Sequence, residues 1–359
     1  MSRFFPLKVV QVRRETTEAV SVLLEIPKQM RDKFSYKSGQ YIPCRATIDG
    51  EEIRKSYSIC SIPDDAHLAI AVKEVYGGKF STYVNQQLKA GDDFEVMIPE
   101  GKFILPENLN EDAELVFFAA GSGITPIISL IKHFLASYPK GQAMLFYNNK
   151  TSDTIIFKDE LEGLKNIYMN RFSVYHLLTR EISGSDLLTG RIDAEKLFAF
   201  SKHLFDAKEI GAVYICGPEH MILNLKEGLL KLGLKEEQIR FELFGTTPVI
   251  EFRDKKIQTI DAGDDRVSKV TYRIDGHETD LQVRYHGVAV LDAALNSGFE
   301  LPYSCKGGVC STCKALVVEG KVHMDIHYGL EADEIEAGYV LTCQSHPRTE
   351  RLILDYDIQ

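Results

Sequence analysis

The chain has 359 residues, 44% hydrophobic and 26% charged, which is the composition of a soluble globular protein too long for one ordinary core. No run approaches the roughly 18 apolar residues of a membrane span, and the N-terminal MSRFFPLKVVQVRRET lacks the apolar core of a signal peptide. A net charge of −10 argues against a general nucleic-acid binder. Two or three domains in a cytoplasmic protein, where thiols stay reduced, are the expectation.

Residues 1–105 read as an antiparallel β-barrel. LKVVQVRRET, AVSVLLEI, GQYIPCRATI, RKSYSICSI and LAIAVKEV alternate apolar and polar residues at the spacing of short strands, with one helical stretch at 80–89. From Glu114 the texture changes. ELVFFAAG, AMLFYNN, VYHLLT and AVYICGP are buried-strand runs separated by helical patterns, the first helix covering 125–137. Alternation of that kind predicts a parallel α/β sheet over 106–245. Residues 246–267 are polar and poorly periodic and read as a linker; about 20 flexible residues have an r.m.s. span of roughly 25 Å. Residues 268–359 begin with a hairpin pattern, KVTYRIDGHETDLQV, and a short helix, AVLDAALNSG, and read as a small α+β domain. It carries eight Lys/Arg against fourteen Asp/Glu, a balance suited to a basic docking surface on a partner and equally to plain solubility.

That last domain holds four of the seven cysteines. Cys305, Cys310 and Cys313 lie in CKGGVCSTC, and Cys343 follows in LTCQSHP after 29 intervening residues. C-x4-C-x2-C…C is the plant-type [2Fe–2S] spacing. Two irons need four thiolates, and Gly307 and Gly308 let the loop turn its N–H groups toward sulfur. A structural zinc site also takes four thiolates but usually arrives as paired C-x2-C knuckles, of which there is one. A Rieske centre needs two histidine ligands.

CKGGVCSTC, with LPYSC before it and LTCQSHP after, resembles the C-terminal β-grasp ferredoxin domain of multi-component oxygenase reductases. RKSYSICS (54–61) resembles the R-x-Y-S flavin motif of the ferredoxin–NADP reductase superfamily. The resemblance implies that Tyr57 stacks on an isoalloxazine and that Ser58 hydrogen-bonds near its reactive nitrogen. The family's arginine falls on Lys55, with Arg54 one place before and on the opposite strand face. Lysine meets pyrophosphate as a point charge without the guanidinium fork. VKEVYGGKFSTYV (72–84) resembles the second flavin segment, bringing Val72, Lys73, Gly78, Ser81 and Thr82 to a helix N-terminus where phosphate would be held. PEGKF (99–103) resembles the segment that closes the barrel. Both flavin segments are of the FAD type rather than FMN.

AAGSGITPIISLI (119–131) follows a buried strand and opens a helix, as a phosphate-cradling loop must. It is similar to the superfamily's G-x-G-x-x-P, which implies that Gly121, Gly123, Thr125 and Pro126 receive the dinucleotide pyrophosphate. YICGPEHMI is similar to the C-G-P segment that sets Cys216 and Gly217 beside the nicotinamide. FELF is similar to the carboxylate-and-aromatic ending, Glu242 and Phe244, at the flavin face. Lys150 and the pair Thr179–Arg180 end successive strands where NADPH-using relatives carry 2′-phosphate contacts, and no acid stands at the end of LFYNN, so NADPH is expected over NADH. On this reading Ser58, Cys216 and Glu242 stand at the hydride-transfer centre.

The domain order is most similar to the reductase subunits of phenylacetyl-CoA epoxidases. It is shared by those of ring-hydroxylating and ketosteroid-type oxygenases. The implied function is a hydride from NADPH to FAD, then single electrons through the cluster to an oxygenase component. An electron carrier with a degenerate flavin domain is the alternative, with Lys55 its one indication.

Overall fold

The computed structural model describes residues 3–182, 184–244 and 266–358. The expected linker lies outside the described residues up to 265. The first strand after it begins at Val267. The chain forms two compact units, 1–244 and 245–359.

The first unit contains two sheets. Strands β1 (Phe5–Thr16), β2 (Ala19–Glu25), β3 (Tyr41–Ile48), β4 (Glu51–Ser58), β5 (Leu68–Lys73) and β6 (Asp93–Val96) run antiparallel in the order β4-β3-β6-β1-β2-β5. The two edges meet just past β4, where Ile59 bridges Ile70 and Cys60 N–H donates to the Ala69 carbonyl at 2.8 Å. The sheet is thereby a closed barrel, its core built from Leu7, Val22, Ile42, Ile70, Phe94 and Val96. β6, only four residues (DFEV), is a strand beyond the five expected; two alternations give no periodicity to detect. Helix α1 (Lys79–Gln86) lies over one end of the barrel.

The second sheet is all parallel: β7 (Glu114–Ala120), β8 (Gln142–Asn149), β9 (Phe172–Leu178), β10 (Ile210–Cys216) and β11 (Ile239–Glu242), ordered β11-β10-β7-β8-β9. Strand order reverses between β7 and β10. Open α/β sheets bind ligands at the carboxyl ends of the strands beside such a switch point. Helices α2 (Ile124–Ser137), α3 (Lys158–Ile167), α4 (Ala194–His203) and α5 (Glu219–Lys231) connect the strands. α2 is buried on nearly every side, and Pro126 sits in its first turn, where a missing N–H costs nothing.

Polar contacts from α2 tie the two sheets together. Ser129 Oγ, fully buried, donates to the Ser61 carbonyl at 2.6 Å. One turn on, Lys132 Nζ lies 2.9 Å from Glu160 on α3 and 3.4 Å from Asp65 and from the Cys60 carbonyl of the barrel. Burial alone would lower the Lys132 pKa, but the carboxylates of Glu160 and Asp65 outweigh it and hold the ammonium charged.

The second unit is a mixed sheet over one helix. Strands β12 (Val267–Ile274) and β13 (His277–Arg284) form the expected hairpin. With β14 (Lys314–Glu319), β16 (Tyr339–Leu341) and β18 (Arg351–Asp355) they run in the order β13-β12-β18-β14-β16, and β12 and β18 are parallel. Strands β15 (Val322–Met324) and β17 (Ser345–Pro347) pair separately. Helix α6 (Val290–Asn296) packs Val290, Leu291 and Ala294 onto Val270, Tyr272, Leu352 and Leu354, and a short α7 (Ala332–Glu336) precedes β16.

Candidate functional sites in the two units

At the end of β4, Ser58 Oγ donates to Glu242 Oε2 at 3.1 Å. The two residues are 184 positions apart, one closing a barrel strand and the other closing β11. Parallel pairing sets Glu242 directly beside Cys216, and Cys216 beside Ala119, just before the glycine loop. All three residues expected at the hydride-transfer centre therefore meet at the switch point. Glu242 keeps some accessible surface, but its carboxyl is packed in deeply enough that burial pushes its pKa up to about 8, against a partial pull downward from the Ser58 hydroxyl. The Cys216 thiol is fully buried; burial, and next the nearby Glu242, push it well up, so it is a neutral thiol.

A group whose folded pKa is raised is stabilising in its protonated form below its unfolded value, near 4.3. That contribution is lost as pH rises toward about 8. Removing the hydroxyl by Ser58→Ala takes away the donor that favours the carboxylate, so the Glu242 midpoint should move above about 8. Carbon-13 NMR of carboxyl-labelled glutamate reads this directly, and a midpoint that stayed or fell would sink the assignment of that hydrogen bond.

The glycine loop is fitted to its surroundings. A Cβ on Gly123 would stand 2.1 Å from the Cys216 carbonyl oxygen, so only glycine allows the loop and the β10 end to touch. Gly121 has φ +53° and its carbonyl accepts from the buried Tyr147 hydroxyl on β8 at 2.9 Å, a support that no local motif signals. Thr125 Oγ1 donates to Ser122 O at 3.0 Å. Lys150 and Arg180 are exposed at adjacent strand ends and are joined by Arg180 N–H to Lys150 O at 2.9 Å; Thr179 is exposed beside them.

Lys55 is exposed and shares its strand face with Tyr57, whose ring lies 5.8 Å from Phe80 of α1. Arg54 is committed elsewhere: it pairs with Glu52 at 2.7 Å and lies over the Phe4 ring at 5.0 Å. Val72 is fully buried and Lys73 pairs with Glu18 at 3.4 Å. Ser81 Oγ accepts from Val75 N–H and donates to Gly78 O, and Thr82 Oγ1 donates to Glu74, so these hydroxyls brace the loop that precedes α1. Phe244 is 45% exposed at the end of the unit.

In the second unit the four cysteines come together as two pairs. Cys310 Sγ lies 3.0 Å from Cys305 Sγ, and Cys313 and Cys343 are in hydrogen-bonding contact. Among the described residues no three His, Cys, Asp or Glu groups converge as a single ion would require. Two pairs suit two irons. The loop also supplies donors: Gly307 N–H points at Cys305 Sγ at 3.3 Å, and the amides of Val309 and Cys310 reach the same sulfur. Cys305 is pulled below the usual thiol range, first by the Cys310 S–H and then, against burial, by those amides. Gly308, φ +71°, is held so closely that a Cβ would meet Ile326 at 2.8 Å. Gln344 Nε2 donates to Lys306 O at 2.9 Å, and Thr342 donates to Cys313 O from both N–H (3.2 Å) and Oγ1 (2.8 Å). These ties bring the distant Cys343 to the loop. The residues present fit a [2Fe–2S] cluster.

A barrel with a flavin-type strand end, a parallel sheet with a nucleotide loop and four clustered cysteines on a separate unit define a flavin and iron–sulfur oxidoreductase that uses a pyridine nucleotide. Family models match each part: an oxidoreductase FAD-binding domain over 6–104, an oxidoreductase NAD-binding domain over 117–227 and a 2Fe-2S iron-sulfur cluster binding domain over 272–348. The chain belongs to the family of three-domain reductase components of oxygenases. It is 37% identical to a component of the 1,2-phenylacetyl-CoA epoxidase of Escherichia coli (strain K12), over 99% of both chains. It is 32% identical to the ferredoxin reductase component of the 3-ketosteroid-9-alpha-monooxygenase of Rhodococcus rhodochrous, over 99% of this chain and 97% of that one. Phthalate dioxygenase reductase shares the fold, with a TM-score of 0.60 at 21% identity over 98% of each chain. Among the described residues no helix is long and apolar enough to cross a membrane.

Proposed function

We propose that this reductase draws a hydride from NADPH and delivers single electrons to the oxygenase component of a phenylacetyl-CoA epoxidase in the cytoplasm. FAD, when bound, accepts electrons as a pair and releases them singly, and a [2Fe–2S] cluster carries one at a time. The rest is the work of this chain's residues. The observation that carries the reading is the 3.1 Å contact between Ser58 and Glu242 beside Cys216, which joins the barrel's flavin strand to the nucleotide loop at the switch point. Tyr57 and Lys55 face the flavin, Lys55 as a point charge on its phosphate. The first-turn amides of α1, opened by Gly78 and braced by Ser81 and Thr82, take the pyrophosphate. Gly121 to Pro126 would cradle the dinucleotide, and Gly123 lets that loop close on Cys216, beside which the nicotinamide would lie. Glu242, protonated at neutral pH, offers a proton beside the Ser58 hydroxyl, and Phe244 covers the flavin face until nicotinamide displaces it. The four thiolates Cys305, Cys310, Cys313 and Cys343 hold the cluster.

Anaerobic titration of the purified protein with NADPH and then NADH, following flavin and iron–sulfur absorbance, tests the relay. Both chromophores should bleach at low NADPH and only at much higher NADH. A flavin that bleaches while the cluster stays oxidised would refute the internal transfer. Reconstitution with epoxidase and with ketosteroid-type oxygenase components then separates the partners.

Charge-assisted hydrogen bonds contribute roughly 1.5–3 kcal/mol each. Lys150→Ala with Arg180→Ala should therefore raise the KM for NADPH at least about tenfold and leave that for NADH within about twofold. Equal losses for both nucleotides would remove the 2′-phosphate role.

A further inference from the structure

One polar atom deep in the second unit has no partner. Tyr356 is 3% exposed, directly after β18, and its hydroxyl makes no hydrogen bond. Its backbone is well held, since Tyr356 N–H donates to Arg273 O at 2.9 Å. A tyrosine hydroxyl buried in this way normally finds a partner, because an unmatched buried donor loses its hydration with nothing in return. Nearby Tyr272 obeys that rule: its hydroxyl donates to Val290 O at 2.8 Å.

The surroundings of Tyr356 indicate what it faces. β14 and β18 are antiparallel, with Leu316 opposite Asp355 as their first pair. Tyr356 follows Asp355 directly, just past the end of that ladder. Tyr356, Cys313 and Cys343 belong to one buried core. The Thr342 hydroxyl is close by, but its proton is committed to the Cys313 carbonyl. The phenol carries its own proton and makes no hydrogen bond with that hydroxyl oxygen, so it stands as a donor without a partner. What remains on that side are the sulfurs that Cys313 and Cys343 bring to the cluster.

We infer that Tyr356 Oη–H donates a hydrogen bond to the sulfur shell of the cluster on its Cys313/Cys343 side, and so tunes the reduction potential. The inference rests on the four-cysteine assignment above. Reduction adds negative charge that spreads over the sulfurs, and a donor aimed there stabilises the reduced form more than the oxidised one. Tyr356 is thus a positioning and tuning group; it is not an iron ligand.

Tyr356→Phe in the full-length holoprotein removes the hydroxyl and keeps the ring. Absorption first establishes that the cluster is present; a Phe variant that assembles no cluster would assign Tyr356 to assembly and overturn the tuning role. The midpoint is then read by EPR-monitored titration. At the potential where the native cluster is half reduced, the variant should be about ten to one oxidised, which is about 59 mV for a one-electron couple. Replacing Tyr356 by 3-fluorotyrosine, a stronger donor, should move the ratio toward reduced. Thermal unfolding supplies a second reading. An unpartnered hydroxyl would make the Phe variant more stable with the cluster bound, whereas a bonded one makes it more stable only in the cluster-free protein. An unchanged midpoint with a stabilised holoprotein would overturn the proposal, and failure to assemble iron in the native protein would instead overturn the cysteine assignment.

Discussion

Gly123→Ala should slow reduction of the bound flavin by NADPH at least about 100-fold while FAD and iron–sulfur content stay normal. The added Cβ would stand 2.1 Å from the Cys216 carbonyl oxygen and 2.6 Å from its carbon, with Gly217 N at 3.0 Å. These are backbone atoms in the fully buried end of β10, and no side chain can rotate out of the way. The glycine loop and the Cys216 strand end must therefore part by an ångström or more. Misplacing a reacting pair by 1 Å costs on the order of 10²-fold in rate. Stopped-flow absorbance at the flavin band in the native and variant proteins gives the limiting rate. A rate within about threefold of native would mean that the loop does not set the nicotinamide position.

The second large effect is expected from Cys343→Ala. Three of the cysteines proposed to hold the cluster lie in one loop, and the fourth, Cys343, is carried in by the segment that Thr342 and Gln344 tie to Cys313 and Lys306. Without it the Cys313 sulfur, fully buried beside it, loses its pair. The variant should show no cluster absorbance or EPR signal and no transfer to an oxygenase component. NADPH-dependent reduction of ferricyanide by the first unit should remain within about twofold of native, since that unit forms its own core. The second unit should also lose stability, because metal binding free energy is folding free energy. A cluster that persists in Cys343→Ala would require another ligand and overturn the four-thiolate assignment.

What the sequence disclosed depended on how local each signal was. The cysteine quartet stood out at once, because the spacing expected of cluster ligands is written directly in the chain, and the structure brings the four together as two pairs. The buried parallel strands were legible as continuous apolar runs, and Lys150 and Arg180 were expected at strand ends that the structure brings side by side. Ser58 and Glu242 are different. Nothing in either local sequence predicts a contact across 184 positions, and resemblance to a family implied only that each stands near the flavin. Lys132 was invisible for another reason: on an apolar helix a single lysine reads as a solvated edge, whereas here Glu160, Asp65 and the Cys60 carbonyl surround it. Tyr356 was likewise unremarkable in DYDIQ until burial showed its hydroxyl without a partner.

The Ser129 and Lys132 contacts also say where this chain can be cut and rejoined. A barrel transplanted onto a foreign nucleotide sheet would bring Ser61 and Asp65 to a helix lacking their hydroxyl and ammonium partners, stranding a buried carbonyl and a carboxylate. Chimaeras joined near residue 105 should therefore fold poorly unless α2 and α3 travel with the barrel. Joins made between 245 and 265 sever no such contact within the first unit. The boundary between the two units, rather than residue 105, is therefore the join expected to leave the first unit intact.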